Sequence, residues 1–368
     1  MSVPAQSSEP VPVVVAGCGA ITKFFYASAL SYLERTGTVR VVALCDPHEA
    51  NRAGIHGRFP NALSLAKFED APLNPGTVVV VGTPPKLHAA QSILALERGC
   101  GVLCEKPMAA SIADAEAMAA AAQRTGKPLA IGLYRRFFRA TQFIKDLCVS
   151  QSLGPIVSFE VEEGGPFRWD AASDSFFRRD ITPGGVLYDT GVHTLDLLLW
   201  WFGEPASLDY RDDAAGGLEA NCELKLRYTG GFTGEVRISR DWATKNVFRI
   251  NFAKGSVSWL VGNAGQVALS INGVDTVLSG DVLPKTDDGL LLHTGRLAEG
   301  SPQAFIRQLM NVAAVVRGTE PLHIPASEGL RSLKLIEACY RQRQPLTLPW
   351  LSAEEAAGYA RLQKGAAA

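Results

Sequence analysis

Val11-Pro-Val-Val-Val-Ala-Gly17-Cys-Gly19-Ala-Ile-Thr22 decides the fold. Its first six residues are an apolar run of mainly β-branched side chains, which favours a strand inside a sheet. Gly17-Cys-Gly19 then turns the chain into a helical pattern that runs through Leu33. Strand, glycine turn and helix in that order are the setting of a dinucleotide fingerprint. Gly17 permits the tight turn. Gly19 leaves room for a pyrophosphate against the backbone, at a helix N-terminus whose free N–H groups and dipole favour an anion. Thr22 stands where a third glycine is usual, a position that needs only a small residue for helix–strand packing.

The next strand, Val39-Arg-Val-Val-Ala-Leu-Cys45, ends in Asp46, 27 residues beyond Gly19. A carboxylate there accepts both ribose hydroxyls of adenosine and repels a 2'-phosphate, which predicts NAD over NADP. Pro47 offers no donor to that phosphate, whereas Arg52, about a turn into the following helix, keeps NADP open. The alternative for Asp46 is that it caps the next helix. Thr77-Val-Val-Val-Val-Gly82 is a continuous apolar run of the kind that a parallel sheet buries on both faces. It leads into Thr83-Pro84-Pro-Lys-Leu-His88 and a helix ending near Gly99. A strand over 102–104 runs into Glu105-Lys106-Pro107, an alanine-rich helix over 111–125 is capped by Ser111 with Asp114 three on, and 129–133 is a last strand. Alternating strands and helices predict a doubly wound parallel sheet with ligand contacts at the carboxyl ends of its strands, where Asp46, Thr83 and Lys106 fall. Lys106 is either a solvated surface cation or a fixed one that donates to a substrate hydroxyl.

Beyond Tyr134-Arg-Arg-Phe137 the pattern changes. A helix to about residue 149 precedes a half-buried strand over 156–162, and further strands are expected over 206–210, 222–228, 232–238, 247–252, 256–260, 267–271 and 276–278. They predict a large, open, mainly antiparallel sheet faced by a helix over 190–202 and closed by helices over 303–316 and 327–342. The expected domains are therefore 1–134, with 1–11 a disordered leader, and 135–368, an α/β unit followed by an α+β unit.

Pro183-Gly-Gly-Val-Leu-Tyr-Asp189-Thr-Gly-Val-His193 carries the second site signal. Asp189 and His193 are four apart at the start of an apolar helix, so a carboxylate and an imidazole point the same way. Gly184 and Gly185 are expected to let a ligand approach the backbone, and neutral histidine suits proton transfer near neutral pH. A capped helix with His193 satisfied in a core is the alternative. The loop over 167–180, rich in aromatic and basic residues, either suits a sugar ring or anchors itself on the sheet.

With 36 Lys+Arg against 37 Asp+Glu in 368 residues, and no block of like charge, neither nucleic acid nor an anionic membrane is an implied partner. A small molecule is. Seven cysteines lie far apart without any CxxC pair, which predicts reduced thiols in a cytoplasmic protein and no metal site. The polar, proline-rich N-terminus lacks a signal-peptide pattern, and no apolar run reaches the length of a membrane helix.

Taken together, Gly17-Cys-Gly19-Ala20-Ile21, Asp46, Thr83-Pro84-Pro85 with His88, Glu105-Lys106-Pro107, Arg135-Arg136-Phe137 and Gly184-Gly-Val-Leu-Tyr-Asp189-Thr-Gly-Val-His193 resemble the glucose-fructose oxidoreductase/inositol dehydrogenase (Gfo/Idh/MocA) family over nearly the whole length. The resemblance implies a Rossmann domain followed by a domain whose open sheet makes homodimers or homotetramers. It implies a catalytic trio of Lys106, Asp189 and His193, and a cis peptide between Lys106 and Pro107. It also implies cofactor contacts from Gly17, Gly19, Ala20, Ile21, Asp46, Thr83, Pro84, His88, Glu105, Lys106 and Arg136. The activity implied is NAD(P)-dependent interconversion of a ring secondary alcohol and ketone on a sugar, sugar derivative or cyclitol. An NAD-binding sensor or corepressor and an NAD-assisted glycosidase are the alternatives on the same fold. The chain departs from the family pattern at Pro183, Tyr134, Phe25 and Phe138-Arg139, the first three expected near the cofactor and substrate, so the substrate is open.

Overall fold

A computed structural model describes residues 9–167, 177–179, 181–280, 301–346 and 352–365. Most of the expected leader, and the aromatic loop except Phe167, Phe177, Arg178 and Arg179, lie outside those residues. The chain forms two compact units. The first comprises the chain up to Tyr134 and, later, Ser301–Leu330, and the second begins at Arg135 and resumes at Arg331.

In the first unit the strands are β1 (Val11–Ala16), β2 (Val39–Cys45), β3 (Leu63–Leu65), β4 (Val78–Val81), β5 (Gly101–Cys104) and β6 (Leu129–Ile131). Between them run α1 (Ala27–Arg35), α2 (Glu49–His56), α3 (Pro85–Glu97) and α4 (Ile112–Thr125). All pairings are parallel, in the order β3-β2-β1-β4-β5-β6, so the order reverses between β1 and β4, the place where a doubly wound sheet takes its ligand. Val13 to Ala16 and Val78 to Val81 are wholly buried, as expected of strands covered on both faces. Val11 already pairs with Val39. Ser111 caps α4 as expected, its hydroxyl accepting from the Asp114 amide at 3.1 Å.

The second unit opens with α5 (Arg139–Ser150), β7 (Ile156–Gly164) and α6 (Val192–Phe202). There follow β8 (Ser207–Asp212), β9 (Asn221–Arg227), β10 (Thr233–Ser239), β11 (Val247–Phe252), β12 (Gly255–Leu260), β13 (Gln266–Ile271) and β14 (Val274–Ser279). After α7 (Ser301–Val316) and α8 (Ala326–Arg341) come a two-residue strand, β15 (Gln344–Pro345), and α9 (Ala353–Gly365). The sheet runs β14-β13-β12-β11-β7-β10-β9-β8-β15. It is mainly antiparallel, as expected, with β7 parallel to β10 and β8 to β15. Along β9 and β10 buried and exposed residues alternate, and the buried face carries Leu224, Leu226, Val236 and Ile238. α6 is apolar almost all round and is buried over Leu195, Leu197, Leu198, Leu199 and Trp201, with the Trp201 indole donating to the Thr141 carbonyl at 3.0 Å.

The expectation that the 303–316 helix closes this sheet is corrected. α7 belongs to the first unit, where Phe305 packs on Phe25 and Tyr26 and Val316 lies over Gly101. No described helix is long and apolar enough to cross a membrane.

Candidate active site

Gly17 has φ +90°, and an added Cβ would lie 2.7 Å from the Gly82 carbonyl group at the end of β4. Glycine is therefore needed both for the turn and for the approach of two strand ends. Around Gly19 a Cβ would meet nothing within 4 Å, and Gly19, Ala20 and Ile21 are only half-buried, so the backbone there is open to a ligand. Thr22 begins a π-helical turn (Thr22–Tyr26) and is fully buried, its hydroxyl donating to the Gly17 carbonyl at 2.5 Å. More than small size is at work at this position: the hydroxyl ties the helix start to the glycine turn.

Asp46 is largely buried at the end of β2. One carboxylate oxygen accepts from the Cys18 amide at 2.9 Å, and the other from the His48 amide at 2.9 Å and the Asn51 side-chain amide at 3.2 Å. It therefore joins β2 to the glycine turn and braces the residue before α2, without capping the helix's own N–H groups. Arg52 donates to the Asp46 backbone carbonyl and, at 3.0 Å, to Ser64.

After β4, the Thr83 hydroxyl donates to Gln91 at 2.6 Å, and Pro84 precedes the first turn of α3. His88 and Glu105, expected at the cofactor, are placed differently. The His88 ring is fully buried between two carbonyls, Nε2 2.7 Å from Thr83 and Nδ1 3.0 Å from Pro107, and burial pushes its pKa down. Glu105 is buried with one oxygen accepting from Tyr26 at 2.6 Å and the other from the Lys106 amide at 3.1 Å, and burial raises its carboxyl pKa. Gly132 lacks the Cβ that would stand 2.8 Å from that carboxylate. Both side chains thus hold the loops that carry Thr83 and Lys106 rather than face a ligand. Lys106 is half-buried at the end of β5, and the Lys106-Pro107 peptide is cis, as the resemblance implied. Tyr26 also receives the Gln308 amide at 3.0 Å, and the departures Phe25 and Tyr134 lie on Phe305, each at 4.9 Å between ring centroids.

In the second unit a π-helical turn, Leu187–Gly191, runs into α6. Such turns recur at functional sites. Asp189 is partly exposed, and one of its oxygens lies 3.2 Å from Arg240. His193 is nearly buried on the first turn of α6. The Arg240 guanidinium stacks on Phe167 and Phe177, 5.5 and 5.7 Å from their centroids, and these rings meet edge to face at 5.0 Å. Together with Leu218, Ala220 and Asp241 they line a hollow of about 440 Å³. Nothing in the sequence marks Arg240, which sits at the end of β10, 51 positions from the aspartate it pairs with.

Two further expectations change. Gly184 and Gly185 do not leave space for a ligand: a Cβ on Gly184 would overlap the Tyr340 hydroxyl, and one on Gly185 the Glu219 backbone. Arg136, expected at the cofactor, is buried and grips Asp196 of α6 with Nε at 2.9 Å and Nη2 at 2.6 Å, its guanidinium 5.3 Å over Trp200. Arg135 grips Glu163 in the same way at 2.9 and 2.5 Å, and Thr194 donates to that carboxylate at 2.6 Å. The two arginines fasten the site helix. Among the described residues no group of side chains is arranged to hold a metal, and all seven cysteines are unbridged.

Residues 11–133 match the model of an oxidoreductase family with an NAD-binding Rossmann fold, and residues 141–258 match a GFO/IDH/MocA C-terminal domain. The D-glucoside 3-dehydrogenase of Escherichia coli K12 is 29% identical over 270 residues, 70% of this chain and 71% of that protein. The D-apiose dehydrogenase of Paraburkholderia graminis is 25% identical over 366 residues, covering 92% and 90% of the two chains. Among solved structures, a levoglucosan dehydrogenase in complex with NADH and levoglucosan has a TM-score of 0.76 at 18% identity, over 91% of this chain and 97% of that one. At that identity the likeness is one of fold.

Proposed function

The chain belongs to the GFO/IDH/MocA family of oxidoreductases, and from that premise we propose that it is an NAD-dependent dehydrogenase interconverting a ring secondary alcohol and its ketone on a sugar, sugar derivative or cyclitol. The observation that carries this reading is the pairing of Asp189 with a buried arginine, Arg240, on the turn that leads into His193. The guanidinium donates to the Asp189 carboxylate at 3.2 Å and anchors it in the helical turn that precedes the histidine. A sensor needs no such acid/base pair.

The residues present fit NAD: open backbone at Gly19, a helix start behind it, and the Asp46 carboxylate at the end of the neighbouring strand. When bound, NAD supplies the hydride acceptor at nicotinamide C4. The chain's own groups do the rest in this reading. The His193 imidazole takes the hydroxyl proton as the C–H hydride departs, Lys106 donates to the substrate oxygen, and Asp189, one turn before the histidine, tunes it. Gly17, Ala20, Ile21, Thr83 and Pro84 shape the cofactor loops, His88 and Glu105 hold the loops that carry Thr83 and Lys106, and Arg136 fastens α6. Incubating the pure protein with NAD and a panel of cyclitols, sugars and nucleotide sugars, and following NADH, tests the reading. NAD binding without turnover of any compound would favour the sensor. Release of a sugar without NADH would favour the glycosidase.

NAD is expected to be preferred to NADP by at least about tenfold in kcat/KM, or about 1.4 kcal/mol, because Asp46 opposes a 2'-phosphate. Arg52 already donates to the Asp46 carbonyl and to Ser64. Equal efficiencies with the two cofactors would show that Arg52 turns to the phosphate and that Asp46 does not discriminate.

A homodimer or homotetramer through the second unit's sheet is part of the proposal, supported by the exposed Val274 and Val277 on β14. A cytoplasmic location is supported by the seven unbridged thiols, six of them buried.

A further inference from the structure

We propose that Glu219 and Tyr340 are positioning residues that fix the 183–186 turn and through it aim Asp189 and His193. The inference rests on the dehydrogenase reading above. Glu219 lies in the connection from β8 to β9, with its carboxylate among the most buried polar groups of the second unit. One carboxylate oxygen accepts three hydrogen bonds, from the Gly185 amide at 2.9 Å, the Leu187 amide at 3.1 Å and the Tyr340 hydroxyl at 2.7 Å. The Glu219 backbone carbonyl accepts the intervening amide, that of Val186, at 2.9 Å. Three successive N–H groups at the head of the site helix thus end on a single residue. The Gly185 carbonyl in turn accepts the Asp189 amide at 3.0 Å, so two hydrogen bonds lead from the Glu219 carboxylate to the backbone of Asp189.

The paired glycines are explained by the same two residues, since a Cβ at either position would overlap Tyr340 or Glu219. Tyr340 comes from α8, where burial drives its phenol pKa well up and keeps it a donor. The other Glu219 oxygen stands 3.6 Å from Arg343, which is also paired with Asp212. For stability alone, a buried carboxylate that shares one guanidinium with a second carboxylate is a poor choice beside an apolar residue. As an acceptor for the Gly185 and Leu187 N–H groups, on either side of the amide that the Glu219 carbonyl takes, it has a use, because a displacement of about 1 Å at reacting groups costs about a hundredfold in rate.

Four proteins test this: wild type, Tyr340→Phe, Glu219→Gln and Glu219→Ala, each checked for folding by thermal unfolding. Turnover is read with the best substrate of the panel, together with KM for NAD. The His193 imidazole cross-peak is read by NMR and assigned by its loss in His193→Asn. Tyr340→Phe is expected to lower kcat about 3- to 10-fold and Glu219→Ala about 100-fold, both with KM for NAD unchanged. Glu219→Gln, whose amide oxygen still accepts the two backbone N–H groups, is expected to recover kcat to within about threefold of wild type. The His193 cross-peak is expected to move in Tyr340→Phe and Glu219→Ala and to return in Glu219→Gln. Folded Tyr340→Phe with wild-type kcat and an unmoved His193 signal would overturn the proposal, and this variant decides the matter even if Glu219→Ala does not fold. If wild type turns over nothing in the panel, the dehydrogenase reading fails, while the His193 signal still reports on positioning.

Discussion

His193→Ala is expected to lower kcat for alcohol oxidation by about 10²- to 10⁴-fold, the usual contribution of one general base, with NAD binding left at wild-type strength. The two effects separate because the groups proposed to hold NAD, from Gly17 through Asp46 to Thr83, all belong to the first unit, whereas His193 stands in the second. Lys106→Ala should fall by a comparable factor, and the double variant by much less than the product, since groups acting on one proton transfer are not independent. The pH profile separates a base from a bystander. Oxidation should rise with pH as His193 loses its proton, and ketone reduction should favour the lower side, where the imidazolium donates. His193→Asn should flatten the rising limb as well as lower it. A variant that binds NAD and keeps normal turnover would remove His193 from the mechanism. A full rising limb in His193→Asn would pass the base role to Lys106.

The parts of this molecule that could be read in the sequence are those where one physical cause fixes the pattern. Val-rich runs bounded by glycine placed β1 and β4, because strands covered on both faces need apolar side chains, and the run ending at Asp46 placed β2 despite the exposed Arg40. Alternation placed β9 and β10 for the complementary reason. β3 escaped because Leu63-Ser-Leu65 is a three-residue edge strand, largely exposed, with neither signal. The candidate site residues were legible only as residue types. Asp46, Lys106, Asp189 and His193 stand out because charged or titratable groups at strand ends and helix starts call for an explanation. Their supports do not stand out. Arg240, Glu219 and Tyr340 come from β10, the β8–β9 connection and α8, and only tertiary packing brings them to the 183–193 stretch. Gly184 and Gly185 show how such a reading goes astray. A missing side chain announces that something approaches the backbone, and here it is the protein's own tyrosine and glutamate rather than a ligand.

Arg136→Ala is expected to destabilise the second unit by about 3–5 kcal/mol, the range for breaking a buried ion pair from one side. The guanidinium and the Asp196 carboxylate are only 7% and 2% exposed, and two parallel hydrogen bonds join them. Truncation leaves the carboxylate charged, dry and without its bidentate partner inside the helix that carries His193, and strips the cation from the face of Trp200. Removing both charges together should be far milder: Arg136→Met with Asp196→Leu is expected to fall within about 1–2 kcal/mol of wild type, because the desolvation penalty of the pair disappears with its attraction. A surface pair sets the scale for comparison. Arg124 and Glu97 are 2.6 Å apart yet 59% and 50% exposed, and Arg124→Ala should cost no more than about 1 kcal/mol. Urea unfolding followed by tryptophan fluorescence isolates the relevant transition, since all six tryptophans fall within the second unit's share of the sequence. A loss below about 1 kcal/mol for Arg136→Ala would mean that water reaches Asp196 once the guanidinium is gone, and the rigid fastening of α6 assigned to this pair would have to be given up.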